Sequence, residues 1–195
     1  MRNLILSVLV TTTLVSCGPS TKIEKSWMEP GASVTPGATN KTLVVAMVKD
    51  ETSRRVIEDH LTKRIGNGAV SSYTIMPSGN EDALKQKVTE GNFTHVLLMR
   101  LADIEKETSY VPGTTTGYYG GYGRYYGYGY GMYSTPGYYT TDKNYFVETT
   151  VYSVSPDKLL WTATTKTVNP GKIEKTVNEI ADIVSEKMKK DGFLK

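Results

Sequence analysis

Hydrophobic and polar positions in the first half of the chain follow two different periods. Residues 42–48 (TLVVAMV) form a continuous apolar run rich in β-branched side chains, which predicts a strand buried on both faces. The next apolar residues recur at helical spacing, and Thr52 or Ser53 is placed to cap that helix. Residues 69–76 and 94–101 predict two further strands with a short helix between them. Strands connected by helices favour parallel pairing.

The second half of the chain predicts a hairpin followed by a helix. Residues 144–154 alternate between two faces, residues 155–158 (SPDK) suit a turn, and residues 159–168 form the partner strand. Asn169 and Pro170 predict the start of the last helix, as its cap and its first-turn proline. The apolar stripe of this helix consists of Ile173, Val177, Ile180, Ala181, Val184 and Met188.

The order of these elements is β-α-β-α-β, a long loop, and then β-β-α. It predicts an α/β (α+β) sandwich with a mixed sheet of about five strands and three helices. Composition agrees, because 195 residues with 38% hydrophobic side chains are enough for one domain with a core. The chain has 23 basic and 20 acidic residues, and this near balance argues against nucleic acid as a partner.

The amino-terminal residues have the pattern of an export signal. Arg2 gives a positive start, and residues 4–15 form an apolar run. The run is too short to cross the ~30 Å hydrocarbon core of a membrane as a helix. It fits the apolar region of a secretory signal peptide, which predicts that residues 1–16 are removed. The single cysteine of the chain, Cys17, lies where cleavage is expected, and it excludes a disulfide framework.

The residues before this cysteine read Leu14-Val15-Ser16-Cys17, which resembles the lipobox of bacterial lipoproteins. The resemblance implies a diacylglycerol group on the Cys17 sulfur and a further acyl chain, such as palmitate, on its amino group. Several acyl chains anchor a protein stably, whereas one chain is marginal. Gly18 follows the cysteine in place of aspartate, and the resemblance then implies the outer membrane, on its periplasmic face. An ordinary cleaved signal with a chance cysteine is the alternative.

Residues 17–40 predict a lipid anchor and a flexible tether ahead of a single domain over residues 41–195. Prolines and glycines interrupt any period in this segment, and Ser, Thr and Asn fill the positions between them. Trp27 is the exception, and it either contacts the membrane interface or docks onto the domain.

The element order together with the lipobox resembles small envelope modules. Examples are the amino-terminal domain of TolB and the lipoprotein activators of penicillin-binding proteins. The resemblance covers roughly residues 41–195, rests on no signature motif, and implies a binding or adaptor module by analogy.

A tyrosine- and glycine-rich segment interrupts the domain. Residues 117–139 contain ten Tyr and eight Gly, within a connection over residues 111–142. Ordinary loops rarely exceed ~12–15 residues. Three interpretations stay open: a tolerated low-complexity insertion, a contact surface for a protein or glycan partner, and a self-associating segment. Stacking on nucleic acid is disfavoured because the segment has a single basic residue. The candidate contact residues are Tyr118, Tyr119, Tyr122, Arg124, Tyr125, Tyr126, Tyr128, Tyr130 and Tyr133.

Candidate chemistry is sparse. A polar cluster follows the first strand, where α/β proteins place ligand sites, and helix capping is its plainer explanation. The cluster consists of Asp50, Glu51, Arg54 and Arg55. His60 and His95 are expected to be packing residues, and we recognise no motif for a metal, a phosphate or another cofactor.

These observations favour a non-catalytic envelope lipoprotein that acts as a tethered binding module for a protein or glycan. Two alternatives stay open. One is an envelope hydrolase of unknown substrate that uses the Asp50 cluster. The other is a structural protein that self-associates through the Tyr/Gly segment.

Overall fold

A computed structural model describes residues 21–76, 81–113, 115–116, 133–134 and 136–195. The strands are β1 (Thr21–Met28), β2 (Thr42–Met47), β3 (Ala69–Ser71), β4 (His95–Val111), β5 (Thr115–Thr116), β6 (Tyr133–Ser134), β7 (Tyr138–Ser153) and β8 (Lys158–Val168). The α-helices are α1 (Glu51–Ile65), α2 (Glu81–Glu90) and α3 (Ile173–Lys190), and a 3-10 helix covers Ser72–Thr74.

Six strands form one mixed sheet in the order β1-β8-β7-β4-β2-β3. The strand β2 pairs in parallel with β3 and β4, as expected for strands connected through helices. The pairs β4–β7, β7–β8 and β1–β8 are antiparallel, and β5 with β6 forms a separate small sheet. The predicted α+β class, the mixed sheet and the carboxy-terminal hairpin are confirmed, with β1 as an additional strand.

Both faces of the sheet are covered at β2, as its unbroken apolar run predicts. On one face Val44 and Ala46 pack in the main core with apolar side chains of α1 and α3. On the other face Leu43 and Val45 pack with Val88 of α2 in a smaller core. The predicted stripe of α3 is largely confirmed, because Val177, Ile180, Ala181, Val184 and Met188 are buried, whereas Ile173 is 63% exposed.

The prediction of a flexible tether is wrong for residues 21–40. Residues 21–28 form β1, the edge strand beside β8, in which Thr21 is buried and Ile23 packs on the main core. Val34 is also buried, and its backbone NH donates to the Phe193 carbonyl at 2.6 Å. An edge strand with one outward face carries many polar residues, so its sequence looks like a linker. Trp27 lies in β1 with 46% of its surface exposed.

Three local boundaries also differ from the predictions. The strand that begins at residue 69 ends at Ser71 and continues as the 3-10 helix. The cap of α1 is Asp50, whose carboxylate accepts from the Ser53 NH at 2.7 Å. The cap of α3 is Lys172. Asn169 instead adopts a φ of 46° and ties β8 to β7, because its Oδ1 accepts from the Lys143 NH at 2.9 Å.

Strands β4 and β7 continue far beyond their neighbours. The last paired position of β2 lies opposite Arg100, and β8 ends opposite Asn144 of β7. Residues 106–111 and 138–143 therefore pair only with each other within the described chain, and we call this two-stranded extension the ribbon. All residues of β4 from Arg100 to Tyr110 are exposed, so the ribbon projects into solvent.

Candidate functional site

The predicted polar cluster lies together at the start of α1, but its contacts are internal to the fold. The Asp50 carboxylate accepts hydrogen bonds at Ser53, and these bonds hold its pKa below the ordinary value. Glu51 accepts from the Arg55 Nε at 2.9 Å and forms an ion pair with Arg54 at 3.5 Å. Each member of the cluster therefore has a capping or pairing role within α1, as the plainer of the two explanations predicted.

The centre of this polar region is Glu58, which was not among the sequence candidates. Its side chain is fully buried. One carboxylate oxygen accepts from the Ala46 NH at 3.0 Å, the Ser72 hydroxyl at 2.7 Å and the Arg54 Nε at 3.1 Å. The other accepts from the Tyr73 NH at 2.9 Å. The four-residue spacing of Arg54 and Glu58 is the one sequence signal for this pair.

Arg54 extends the network to the next segment of the chain. Its Nη2 donates to the Ser72 hydroxyl and to the Met76 carbonyl, each at 2.8 Å. The Glu58–Arg54 pair thus joins α1 to β2 and to the 3-10 helix. A buried carboxylate that accepts four hydrogen bonds has its acceptor capacity well used, so this arrangement stabilises the fold.

A second set of contacts occupies the outer side of α1. The Tyr73 hydroxyl donates to Asp59 at 2.8 Å, and the Arg55 guanidinium carbon lies 5.1 Å from the centre of the Tyr73 ring. The hydrogen bond to Asp59 is the main cause that raises the pKa of Tyr73. Arg55 is therefore engaged by both Glu51 and an aromatic ring.

The two histidines lie on different elements. His60 is half-buried on α1, and His95 is half-buried at the start of β4, with its Nδ1 2.9 Å from the Thr94 hydroxyl. Burial lowers the pKa of His95, which favours the neutral imidazole. Across the described ranges, no group of three or more His, Cys, Asp or Glu side chains is arranged to hold a metal ion. None of the helices in those ranges combines the length and apolar character needed to cross a membrane.

An apolar groove opens between α3 and the sheet, at the end from which the ribbon projects. Its volume is about 390 Å³. The lining residues come from α1, α3 and three strands, together with the segments that follow β2 and precede α3. They are Val48, Ile57, Met99, Arg100, Leu101, Tyr145, Val147, Thr167, Pro170, Gly171, Ile173, Thr176, Val177 and Ile180. No local sequence pattern marks this groove, because its lining is assembled from segments that are distant in the chain.

Arg100 is the only charged residue among those that line the groove. It pairs across the sheet with Glu148 at 2.5 Å. Ile173 and Leu101 remain 63% and 45% exposed at the groove. An apolar concavity with one charged group at its edge suits an apolar side chain or a small apolar group.

The ribbon ends in an aromatic cluster. Tyr110 and Tyr139 lie opposite each other, with ring centres 5.0 Å apart, and Tyr138 pairs with Val111 in the last row. The Tyr110 ring packs so closely over Gly137 that a Cβ at that position would lie 2.1 Å from its hydroxyl oxygen. All three tyrosines are exposed: Tyr110 at 56%, Tyr138 at 60% and Tyr139 at 74% of their surface.

The remaining predicted site residues fall largely outside the described structure. Cys17 is one of them. Of the candidate contact residues, Tyr133 belongs to the two-residue strand β6. The others, Tyr118, Tyr119, Tyr122, Arg124, Tyr125, Tyr126, Tyr128 and Tyr130, lie outside the described residues.

The fold defines an α+β protein with a mixed sheet whose strands carry helices on both faces. No protein-family model and no curated protein matches the sequence. Among solved structures, the chain is similar to the PelC dodecamer from Paraburkholderia phytofirmans. A single-substitution variant of PelC aligns at 12% identity and a TM-score of 0.48, over 83% of this chain and 95% of the other. A second PelC structure gives 12% identity and a TM-score of 0.46, over 85% and 95%. At these TM-scores neither likeness supports a conclusion about this chain.

Proposed function

We propose that the protein is a lipid-anchored protein of the bacterial cell envelope that binds a protein or glycan partner without catalysing a reaction on it. The lipobox-like Leu14-Val15-Ser16-Cys17 supports removal of residues 1–16 and acylation of Cys17. Gly18 supports the outer membrane, and the domain is then held at its periplasmic face.

The main structural support for a binding role is the ribbon. A tolerated insertion needs only a turn between two strands. Here β4 and β7 stay paired for six rows beyond their neighbours, over residues 106–111 and 138–143. Measured from the last row shared with β8, the ribbon extends about 20 Å, so the two ends of the Tyr/Gly segment are held well away from the core.

The chemistry of this region suits recognition. Tyrosine offers a large amphipathic surface at a small cost in side-chain entropy, and it is enriched where proteins bind protein and glycan surfaces. The exposed Tyr138 and Tyr139 belong to the same segment of ten tyrosines. The contacts of the Asp50 cluster with Ser53, Glu58 and Tyr73 support a structural role for it, and our proposal assigns it no catalysis.

In-cell cross-linking followed by affinity capture of the intact lipoprotein tests this proposal. The variant replaces residues 112–137 with Asn-Gly, which joins Val111 to Tyr138 by a two-residue hairpin turn. A second variant keeps the full length of the segment but changes its tyrosines to serine, so it separates the effect of the tyrosines from the effect of the length. We expect a specific partner that is captured by the native chain and lost from both variants. Capture that persists in both variants would contradict a role for the tyrosines.

A third variant, Ile173→Glu, separates the ribbon from the groove. Ile173 is exposed at the start of α3, where an acidic residue is compatible with the helix dipole, so the domain should stay folded. A partner lost only with Ile173→Glu would move the binding site to the groove.

Turnover of an envelope substrate that disappears with Asp50→Ala would instead favour a hydrolase. Concentration-dependent light scattering that is abolished by the Asn-Gly variant would favour self-association.

A further inference from the structure

The start of β1 and the base of the ribbon lie at the same end of the sheet. Thr21 pairs with Thr167, Thr167 pairs with Tyr145, and Tyr145 pairs with Ile104, so these four residues form one row across four strands. From this row β4 continues toward the ribbon tip. The amino end of β1 faces the same direction, because β1 runs antiparallel to β4.

Exposed apolar side chains gather at this end. Eight large hydrophobic residues are exposed in the described chain. Four of them, Met47, Leu101, Ile104 and Ile173, lie at the ribbon end of the sheet or at the start of α3 beside it. Three more are the tyrosines of the ribbon tip, and Trp27 is the exception. An apolar surface concentrated at one end of a domain is typical of a contact surface.

The charge pattern of the ribbon changes along its length. Its first two rows are charged, with Lys106 opposite Lys143 and Glu107 opposite Asp142. The four outer rows contain only Thr, Ser, Tyr and Val. From Thr108 to Val111 these uncharged rows span about 10 Å.

We propose that the ribbon tip, with Tyr110, Tyr138 and Tyr139, lies in the headgroup region of the membrane to which the protein is anchored. This inference rests on the proposed acylation of Cys17. It assigns the three tip tyrosines to the lipid bilayer and leaves the protein or glycan partner to the rest of the Tyr/Gly segment. Tyrosine favours the membrane–water interface, because its ring is apolar and its hydroxyl stays hydrated.

Two lengths support this orientation: the reach of the chain from Cys17 to Thr21, and the extension of β4 to the ribbon tip. Four residues separate Cys17 from Thr21, and even a fully extended chain covers only about 14 Å over that separation. From Ile104 to the ribbon tip at Val111, β4 extends seven residues, or about 24 Å. The ribbon therefore outreaches the anchor by about 10 Å, which matches both the uncharged rows and the depth of interfacial insertion.

The same features limit the depth of insertion. Beyond Lys143, whose backbone is hydrogen-bonded to Asn169, the outer edges of the ribbon have no neighbouring strand within the described chain. The backbone groups of those edges therefore need water or headgroups as hydrogen-bonding partners. The charged rows at Lys106 and Glu107 would be costly in hydrocarbon. Contact is thus confined to the interface, and the base of the ribbon stays in water.

Depth-dependent fluorescence quenching tests the proposal on the full, lipidated chain. The protein is reconstituted in vesicles of phosphatidylethanolamine and phosphatidylglycerol with added phosphatidylcholine brominated near either end of its acyl chains. A Trp27→Phe background leaves Trp161, which is fully buried, as a constant signal. Tyr139→Trp reports on the tip, and Tyr138→Trp repeats the measurement one residue away. Asp157→Trp, in the turn at the opposite end of the sheet, is the matched control.

We expect the shallow bromine label to reduce the emission of the tip tryptophan about two-fold, with a blue shift, and to leave the control unchanged. Mass spectrometry of the amino-terminal peptide reports acylation of Cys17 independently. Acylated protein whose tip tryptophans are not quenched, or whose control is quenched equally, would overturn the membrane-contact inference and leave the anchor intact. An unmodified Cys17 would overturn the anchor and the inference together.

Discussion

At the scale of single residues, the fold depends on a few polar groups whose partners are distant in sequence. Glu58 is fully buried and accepts from Ala46, Arg54, Ser72 and Tyr73. If the carboxylate is removed, the Arg54 Nε and the backbone NH groups of Ala46 and Tyr73 lose this acceptor in a site that water reaches poorly.

Glu58→Ala should therefore lower the free energy of unfolding by about 3 kcal/mol or more. Urea unfolding followed by circular dichroism measures this change. The matched control is Glu186→Ala on the exposed side of α3, for which we expect a change within about 0.5 kcal/mol. A similar small change for Glu58→Ala would show that water or a neighbouring side chain replaces the carboxylate.

Asp191 holds the largest core side chain in place. It caps the end of α3 and accepts from the Nε1 of the fully buried Trp161 at 3.0 Å. Burial acts to raise the pKa of Asp191, but hydrogen bonds from Lys187 and Trp161 outweigh it and hold that pKa below the ordinary value of 3.8. The carboxylate therefore contributes stability in its charged form.

This pKa shift predicts a pH dependence with a definite sign. A carboxylate whose pKa is lower in the folded state stabilises the fold fully above its unfolded pKa, and the contribution is lost as pH falls through the folded pKa. As the pH is lowered from about 5 to about 2, the free energy of unfolding should fall more for the native protein than for the Asp191→Asn variant. The urea midpoint at each pH measures the difference. Asp157→Asn, in the exposed turn, is the control and should follow the native curve.

At the scale of elements, β1 is the largest departure from the sequence prediction. Its side chains alternate weakly, and most of them are polar. Its place is set by pairing with β8 and by the core contacts of Ile23 and Met28. The following segment adds Val34, whose backbone is hydrogen-bonded to Phe193 and Lys195 at the end of the chain. The amino- and carboxy-terminal parts of the domain thus stabilise each other.

A chain that starts at residue 40 should be less stable than one that starts at residue 18. It lacks the β1–β8 ladder and the apolar contacts of Ile23, Met28 and Val34, and full burial of such a side chain contributes ~1.5–3 kcal/mol. We expect a loss of at least about 3 kcal/mol in urea unfolding. Equal midpoints for the two chains would restore the tether interpretation.

At the scale of the whole molecule, the domain and the ribbon differ in their apolar packing. The two apolar cores involve β2, the base of β4, and the helices on both faces. The ribbon contributes no residue to either core within the described chain. The ribbon therefore adds nothing to the packing of these two cores.

Replacing residues 112–137 with Asn-Gly should accordingly leave the domain at least as stable as the native chain. The cost of closing a loop rises slowly with its length, so a shorter loop costs no more. The free energy of unfolding from urea titration is the measurement. A loss of more than about 1 kcal/mol would show that the segment packs on the domain.

Much of the fold was predictable from local pattern. The unbroken apolar run at β2 predicted burial on both faces, and the alternation over residues 144–154 predicted one strand of a hairpin. The stripe of α3 predicted its packing, and all of its members except Ile173 are buried. These features depend on the spacing of apolar side chains, which is a property of the sequence itself.

Tertiary structure alone decided the rest, because the deciding interactions join residues far apart in the chain. The edge strand β1 is a strand because β8 offers it a hydrogen-bonding partner. The groove exists because α1, α3 and three strands meet there. Glu58 can be buried because Arg54 and the 3-10 helix supply donors. By itself, the sequence determined the periodic elements and the lipobox resemblance. Long-range pairing decided the sheet edge, the groove and the direction in which the ribbon projects.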